Sequence, residues 1–347
     1  MTLEISALLT TRNRAHLLPM VLAALARQTL DQNRFEVIAI DDGSTDTTPQ
    51  VLDAWKDRLP LRIVRPNHAG LAAAKNLGVF MARAPLVVFL DDDDVADPDL
   101  LTAHLAAHIA NPDLAVAILG RTRLAPEVAA SPLMHHVTEV GCQLFSYGWM
   151  KPGQQLSHTE FWGGRSSCKR ELLVQHGVFR PEFHFGCEDI ELGWRLAARG
   201  LRVIYEPRAL TTMIRSLSLE QFCDRSYRQG LSQRVFASFY DDPKVHAYCE
   251  IDAAKDGWAQ GRTRYAAHLR WTRQLEHLVV TRKAAGMSIA PLLRETLDQA
   301  YREAFFLSRA KGIVDMSKRM ASSLPLPAVA SYRSIFEFGL PSVPVSA

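Results

Sequence analysis

The chain has 347 residues, of which 48% are hydrophobic and 22% charged, with a formal net charge of +3 at pH 7. These values argue against a disordered chain, and the small charge argues against nucleic acid as the main partner. Five cysteines without a CxxC pair predict reduced thiols and a cytoplasmic protein. No secretory signal and no apolar run of membrane-spanning length are found, so we expect a soluble protein.

The first part of the chain alternates between strand and helix patterns. We predict strands at 5–9, 35–40, 61–64 and 86–90, and helices at 13–28, 47–58 and 70–81. Strands that alternate with helices through short connections predict a parallel sheet with helices on both faces.

The pattern changes from about residue 115. We predict a strand at 114–124, a polar segment at 126–157, a turn and helix at 161–177, an amphipathic helix at 187–200 and a strand at 201–207. Only helical spacing follows, at 219–239, 265–280 and 291–307. The predicted organisation is an α/β domain at 1–217, a helical subdomain at 218–321 and a Pro- and Ser-rich tail at 322–347.

Four consecutive aspartates follow the predicted strand in "PLVVFLDDDDVADPDLL". Ligands of open α/β sheets bind at the carboxyl ends of strands, which is where this run lies. One interpretation is a polar loop before a helix, with Asp97 as a cap, but it leaves the four acids unexplained. The other is a divalent cation held by carboxylates, with Asp91 and Asp93 on one side of an extended segment.

Two other segments carry acids where strands end or helices begin. "IAIDDGSTDTT" places Asp41 and Asp42 at a strand end, where a carboxylate can accept hydrogen bonds from a nucleobase or a ribose. "FHFGCEDIELGWR" places Glu188 and Asp189 at a helix start, where either a helix cap or a general base explains an acid. In the Ala-rich helix between them, Lys75 is either solvated or faces a diphosphate.

The ordered set "TTRNR", "DDGSTDTT", "NHAGLAAAKN", "FLDDDD" and "GCEDIELGWRL" resembles family 2 glycosyltransferases with the GT-A fold, over about residues 3–215. The resemblance implies a Rossmann-like, mostly parallel sheet flanked by helices, here followed by a C-terminal helical extension. It also implies the inverting transfer of one sugar from a nucleotide sugar, such as a UDP-sugar, to an acceptor.

The resemblance also implies roles for individual residues. Asp189 matches the general base with Glu188 in support, and Asp91 and Asp93 match the ligands of Mn²⁺ or Mg²⁺, Asp93 above all. The nucleotide would contact Thr11, Arg12, Asp41, Asp42, Lys75 and Asp92, and the donor and acceptor sugars would contact Trp162, Gly163 and Gly164.

Two positions depart from the family pattern. Met213 stands about where the family often has a metal-binding histidine, and a thioether is a poor ligand for a hard cation. Lys75 stands where an arginine is common, which keeps the charge but loses bidentate geometry. His135, His136 and His184 lie near the predicted loops, but no metal-ligand spacing supports them.

Several alternatives remain at this point. A nucleotidyltransferase also uses strand-end acids and a metal, but the first predicted strand lacks a Gly-rich phosphate loop. A non-catalytic nucleotide-sugar-binding or scaffold protein is the other alternative, which the retained Asp189 argues against. The acceptor could be a glycan, a lipid-linked sugar, a small molecule or a peptide. The basic C-terminal helices could form a solvated face, a homodimer surface, a peptide-docking site or a peripheral membrane contact.

Overall fold

A computed structural model describes residues 2–322 of the chain. Within these residues one sheet contains nine strands. The strands are β1 Ile5–Thr11, β2 Phe35–Asp41, β3 Leu61–Val64, β4 Leu86–Leu90, β5 Asp94–Ala96, β6 Val116–Leu124, β7 Gln155–Leu156, β8 Ser166–Lys169 and β9 Arg202–Met213.

Helices cover the sheet and form the C-terminal third of the described chain. They are α1 Leu18–Leu25, α2 Thr48–Asp53, α3 Leu71–Met81, α4 Leu100–Ala110, α5 Pro126–Ala129, α6 Pro132–His135, α7 Arg170–His176, α8 Glu188–Ala197, α9 Leu219–Phe239, α10 Pro243–Cys249, α11 Ile251–Gly261, α12 Tyr265–Ala284 and α13 Pro291–Ala321. A π-helical turn at His136–Val140 and a 3₁₀ turn at His158–Glu160 complete the regular structure.

The strands lie in the order β3-β2-β1-β4-β8-β6-β9-β5, and β7 pairs with β9. The first four strands are parallel, as the alternating pattern predicts, and β6 is parallel to β9. Strand β8 is antiparallel to both of its neighbours, and β5 and β7 are antiparallel to β9. The predicted α/β architecture is therefore confirmed, and its sheet is mixed in the half that follows β4.

Separate apolar cores fill the two faces of the sheet. On one face, Leu22 of α1 and Leu101 of α4 are buried against the strands. On the other face, α3, α7 and α8 contribute buried side chains such as Val79, Leu172 and Leu192. Fully burying a leucine or valine stabilises a fold by roughly 1.5–3 kcal/mol, so these helices hold the loops at the strand ends in place.

The boundaries of several predicted elements are wrong for identifiable reasons. The helix predicted at 13–28 begins at Leu18, because Asn13 adopts a left-handed conformation with φ 55° and its side chain accepts a hydrogen bond from the Thr45 N–H. The predicted strand at 201–207 continues as β9 to Met213, because a register shift in its pairing with β6 accommodates Pro207. Strands β5, β7 and β8 were not predicted, since they have only 3, 2 and 4 residues.

Helices α9 and α13 pack closely because glycines face each other's backbones. A Cβ atom on Gly230 would overlap the carbonyl of Arg309, and one on Gly312 would overlap the carbonyl of Tyr227. The helical C-terminal extension is therefore confirmed. None of the helices in residues 2–322 combines the length and the apolarity that crossing a bilayer requires. The predicted tail, apart from Ser322, lies outside the described residues.

A buried histidine pair predicts acid sensitivity of the fold. His104 and His108 of α4 both hydrogen-bond the Ser167 hydroxyl, and burial lowers the pKa of His104 to about 4 and that of His108 to about 3. Below pH 6.5 the unfolded chain binds protons that the folded chain does not. The contribution of this pair to the free energy of unfolding should therefore fall with falling pH, by up to about 1.4 kcal/mol per pH unit for each group, down to about pH 4. Buried carboxyls with raised pKa values, Asp92 and Asp94, act in the opposite direction.

Urea unfolding at pH 7 and pH 5 measures this loss. We expect the change from pH 7 to pH 5 to be less destabilising in His108→Gln than in the wild type, by about 2 kcal/mol. The control His277→Gln changes an exposed histidine of α12 and should leave the loss intact. Equal pH dependence in the wild type and in His108→Gln would contradict the assignment.

Candidate active site

One large cleft of about 1010 Å³ lies at the carboxyl ends of β1, β2 and β4. Its second wall is formed by the 142–149 segment, the start of α8 and one side of α9. Of the residues predicted for the site from sequence, all but Asp41 line this cleft. They are Thr11, Arg12, Asp42, Lys75, Asp91, Asp92, Asp93, Trp162, Gly163, Gly164, Glu188 and Asp189.

The two acids at the end of β2 have different surroundings. Asp41 is buried and accepts a hydrogen bond from the Ser44 N–H in the following turn. The Asp42 carboxylate lines the cleft and accepts hydrogen bonds from the N–H groups of Ala69 and Gly70, while it also contacts the His68 ring at 2.7 Å. Asp42 therefore fixes the loop that leads into α3, and of the two acids it is the one that faces the cleft.

Each of the four aspartates contacts an arginine, and the last also contacts two threonine hydroxyls. The turn at 91–93 directs the first three carboxylates to three different arginines, which lie on the loop after β1, in the segment before β8 and after β9. The ion pairs are Asp91–Arg165 at 3.3 Å, Asp92–Arg14 at 3.3 Å and Asp93–Arg215 at 3.2 Å. The mutual repulsion of the aspartates is thus already reduced by cations of the protein itself.

The surroundings of the last acid in the run are structural. Asp94 belongs to β5 and accepts hydrogen bonds from the hydroxyls of Thr122 and Thr211, both at 3.0 Å. Burial raises the pKa of Asp94 to about 7, and burial together with the charge of Asp93 raises the pKa of Asp92 to about 6. Positive charge that approaches this end of the sheet therefore stabilises the ionised carboxylates.

The start of α8 faces the aspartate run with a second charged cluster. The Lys75 ammonium donates to Glu188 at 2.9 Å, and both side chains are almost fully buried. Burial opposes the charge of Lys75, but the carboxylates of Glu188, Asp189 and Asp91 outweigh it and raise its pKa. Lys75 is therefore engaged by α8 and is held as a cation inside the cleft.

Asp189 is held by two backbone groups. Its Oδ2 accepts a hydrogen bond from the Gly163 N–H at 3.0 Å, and its Oδ1 accepts one from the Ile190 N–H at 2.9 Å. Burial and the charge of Glu188 raise the pKa of Asp189, while the Lys75 cation opposes the rise. A carboxyl with a raised pKa is a stronger base once it is ionised.

The Gly163–Gly164 dipeptide separates the two charged clusters. Gly163 contacts Asp189 on one side, and a Cβ atom at Gly164 would overlap the carboxylate of Asp91 on the other. A Cβ atom at Gly163 would also meet the Lys75 ammonium at 2.5 Å. Glycine at both positions lets the backbone pass between the acids of β4 and those of α8 without displacing the side chains of Asp91 and Lys75.

The oxygen donors at the aspartate run fit a hard cation. The arginine contacts involve Oδ2 of Asp91 and of Asp93, and each carboxylate has a second oxygen that could bind a cation. No three His, Cys, Asp or Glu side chains converge within the described chain, so water and substrate oxygens would complete the coordination shell. Met213 is buried at the edge of the cleft, where its sulfur adds no suitable ligand.

Some of the remaining residues considered from the sequence line the cleft, others lie outside it, and some residues of the cleft were not predicted. Trp162 lines the cleft, and its indole packs against Tyr147. His184 also lines the cleft, whereas His136 is buried against Asp298 of α13. Sequence patterns did not assign four arginines of the cleft to the site, although Arg14 stands in "TTRNR" and Arg225 in a basic helix; the four are Arg14, Arg165, Arg215 and Arg225.

Comparison with known proteins identifies the domain. Residues 6–170 match the model of the glycosyl transferase family 2 domain. Validoxylamine A glucosyltransferase of Streptomyces hygroscopicus subsp. jinggangensis is 33% identical over 256 residues, which cover 65% of this chain and 60% of the relative. Hyaluronan synthase of Pasteurella multocida is 27% identical over 56% of this chain and 23% of its own length. The chain thus spans about three fifths or less of these relatives.

Solved structures share the fold. A mannosyltransferase of Pyrobaculum calidifontis, in complex with GDP-Man and Mn²⁺, has a TM-score of 0.56 at 20% identity and covers 90% of this chain and 87% of its own. The TarS structure of S. aureus in complex with UDP has a TM-score of 0.51 at 16% identity and covers 91% of this chain and 92% of its own. These similarities confirm the predicted GT-A fold.

Proposed function

We propose that this chain, which belongs to glycosyltransferase family 2, transfers one sugar from a nucleotide sugar to an acceptor hydroxyl with inversion at the anomeric carbon. The observation that carries the proposal is the position of the Gly163–Gly164 dipeptide between Asp91 and Asp189. A donor sugar bound along this dipeptide would have a strand-end acid near its diphosphate and a base near its anomeric carbon.

The first part of the proposal concerns the leaving group. Asp91 and Asp93, which both line the cleft, would hold Mn²⁺ or Mg²⁺ through their carboxylate oxygens. When bound, the cation neutralises the charge that develops on the departing nucleoside diphosphate. Arg165 and Arg215 line the same part of the cleft and add positive charge beside it.

The second part concerns the acceptor. Asp189 would accept the proton of the acceptor hydroxyl. At the same time the hydroxyl oxygen would bond to the anomeric carbon, and the bond from that carbon to the diphosphate would break. A general base contributes about 10²–10⁴ to a rate. The Lys75–Glu188 pair supports Asp189 by keeping a cation beside the two acids, which favours the ionised form of the base.

The proposed donor is a UDP-sugar. One structural neighbour was solved with UDP and another with GDP-Man, and one relative is named as a glucosyltransferase. Asp42 at the cleft edge is the proposed contact of the nucleobase or ribose, with Thr11, Arg12 and Asp92 beside it.

Thermal unfolding with UDP, GDP and ADP, each with Mn²⁺ or with EDTA, tests the donor half of the proposal. We expect UDP with Mn²⁺ to stabilise the protein most, by about 2.7 kcal/mol at a hundredfold excess over the dissociation constant. Release of UDP from UDP-sugars then reports turnover. No stabilisation by any nucleotide would contradict the proposed function, and binding without any turnover would favour a non-catalytic binder.

A further inference from the structure

Arg225 of α9 lines the cleft, and no acid of residues 2–322 forms an ion pair with it. Arg12 also lacks an acidic partner, but it contacts the His68 ring at 2.9 Å. The remaining cations are each paired, in the pairs Arg14–Asp92, Lys75–Glu188, Arg165–Asp91, Arg215–Asp93 and Arg228–Asp224.

Aromatic contact, and not an acid, positions this guanidinium. Arg225 lies over the Phe185 ring with its guanidinium carbon 5.1 Å from the ring centroid, and Arg228 lies over the same ring at 4.2 Å. The side chain is partly buried, and burial lowers the pKa of Arg225, although Asp91, Glu188 and Asp189 act on it in the opposite direction. A desolvated guanidinium without a carboxylate gains strongly from an anion supplied by a ligand.

Arg225 reaches the cleft from α9, where the charges of Asp91, Glu188 and Asp189 all act on it, so it also faces the proposed base at the start of α8. Asp42 and the aspartate run lie at the ends of β2 and β4, whereas Arg225 belongs to a helix of the C-terminal extension. The packing of Gly230 and Gly312 against opposite backbones fixes α9 in that place. The side of the cleft formed by α9 is the one left for an acceptor when the strand ends hold the donor.

We propose that Arg225 binds an anionic group of the acceptor, so that the acceptor is a hydroxyl compound carrying a phosphate or a carboxylate. This inference rests on the proposed function and names the substrate class of the same cleft. Arg228 shares the Phe185 ring and is more exposed, but its ion pair with Asp224 leaves Arg225 as the unpaired cation of the two.

The test uses the full chain saturated with UDP and Mg²⁺, and titrates glucose 6-phosphate, glucuronate and glucose by calorimetry at constant ionic strength. We expect at least one anionic sugar to bind about tenfold more tightly than glucose, and its identity separates phosphate from carboxylate. Arg225→Gln should weaken that binding by about 10- to 100-fold and leave UDP affinity within about twofold. Arg225→Lys should retain part of the affinity for that anionic sugar.

Arg270→Gln is the matched control, because Arg270 is an exposed arginine of α12 outside the cleft. Anionic sugars that bind no better than glucose, or an Arg225→Gln variant that binds like the wild type, would overturn the inference. If Arg225→Gln also lost affinity for UDP to the same extent, Arg225 would belong to the donor site, and the inference would be overturned as well. Failure of the wild type to bind UDP would instead count against the proposed function.

Discussion

Replacing Asp189 by asparagine should lower kcat by about 10²- to 10⁴-fold, because an amide cannot accept the proton of the acceptor hydroxyl. The amide oxygen can still accept the hydrogen bond from the Gly163 N–H, so the cleft keeps its shape. UDP affinity, measured by calorimetry with Mn²⁺, should therefore stay within about twofold of the wild type. The control Asp57→Asn changes an exposed acid remote from the cleft and should leave both quantities unaltered.

The pH profile gives a second signature of the same residue. Burial and the charge of Glu188 raise the pKa of Asp189, so kcat/KM should fall with acidification at a pH above the ordinary aspartate value of about 3.9. The residual activity of Asp189→Asn should lack that acid limb. Wild-type turnover in the variant, or loss of UDP binding together with turnover, would show that Asp189 is not the base.

The sequence predicted the strand-end acids well because their signals are local. A continuous apolar run followed by Asp91 indicates where a buried strand leaves the sheet, and the helix start at Glu188 follows from its glycine and its apolar spacing. Each of these signals lies within about ten consecutive residues of the chain. The parallel order of the first strands also follows from alternation alone.

The partners of those acids could not be predicted in the same way. Arg165 reaches Asp91 and Asp94, and Arg215 reaches Asp93, only because β8 and β9 lie in the same sheet as β4 and β5. Lys75 looked like a candidate for a direct phosphate contact, whereas α8 brings Glu188 to it. Pairing between residues that lie so far apart along the chain depends on strand order, and short polar strands such as β8 give no periodic signal that would reveal it.

Replacing Gly164 by alanine should reduce activity by about 100-fold, because the added methyl group would overlap the Asp91 carboxylate. Gly164 does not adopt a positive φ, so its backbone accepts alanine, and the overlap is with the end of a flexible side chain. Asp91 can rotate away, which leaves the fold intact but breaks its pair with Arg165 and moves its oxygens from the cleft. The Mn²⁺ concentration for half-maximal activity should rise accordingly.

Gly148→Ala provides the matched control, since a Cβ atom at Gly148 meets no other atom within 4 Å. Asp91→Asn provides the complementary change, because it weakens the proposed cation ligand without adding volume. If Gly164 acts through Asp91, both variants should shift the Mn²⁺ dependence in the same direction, and the double variant should shift it little further than either alone. An active Gly164→Ala protein with wild-type Mn²⁺ dependence would remove Asp91 from the proposed cation site and leave Asp93 as its remaining carboxylate.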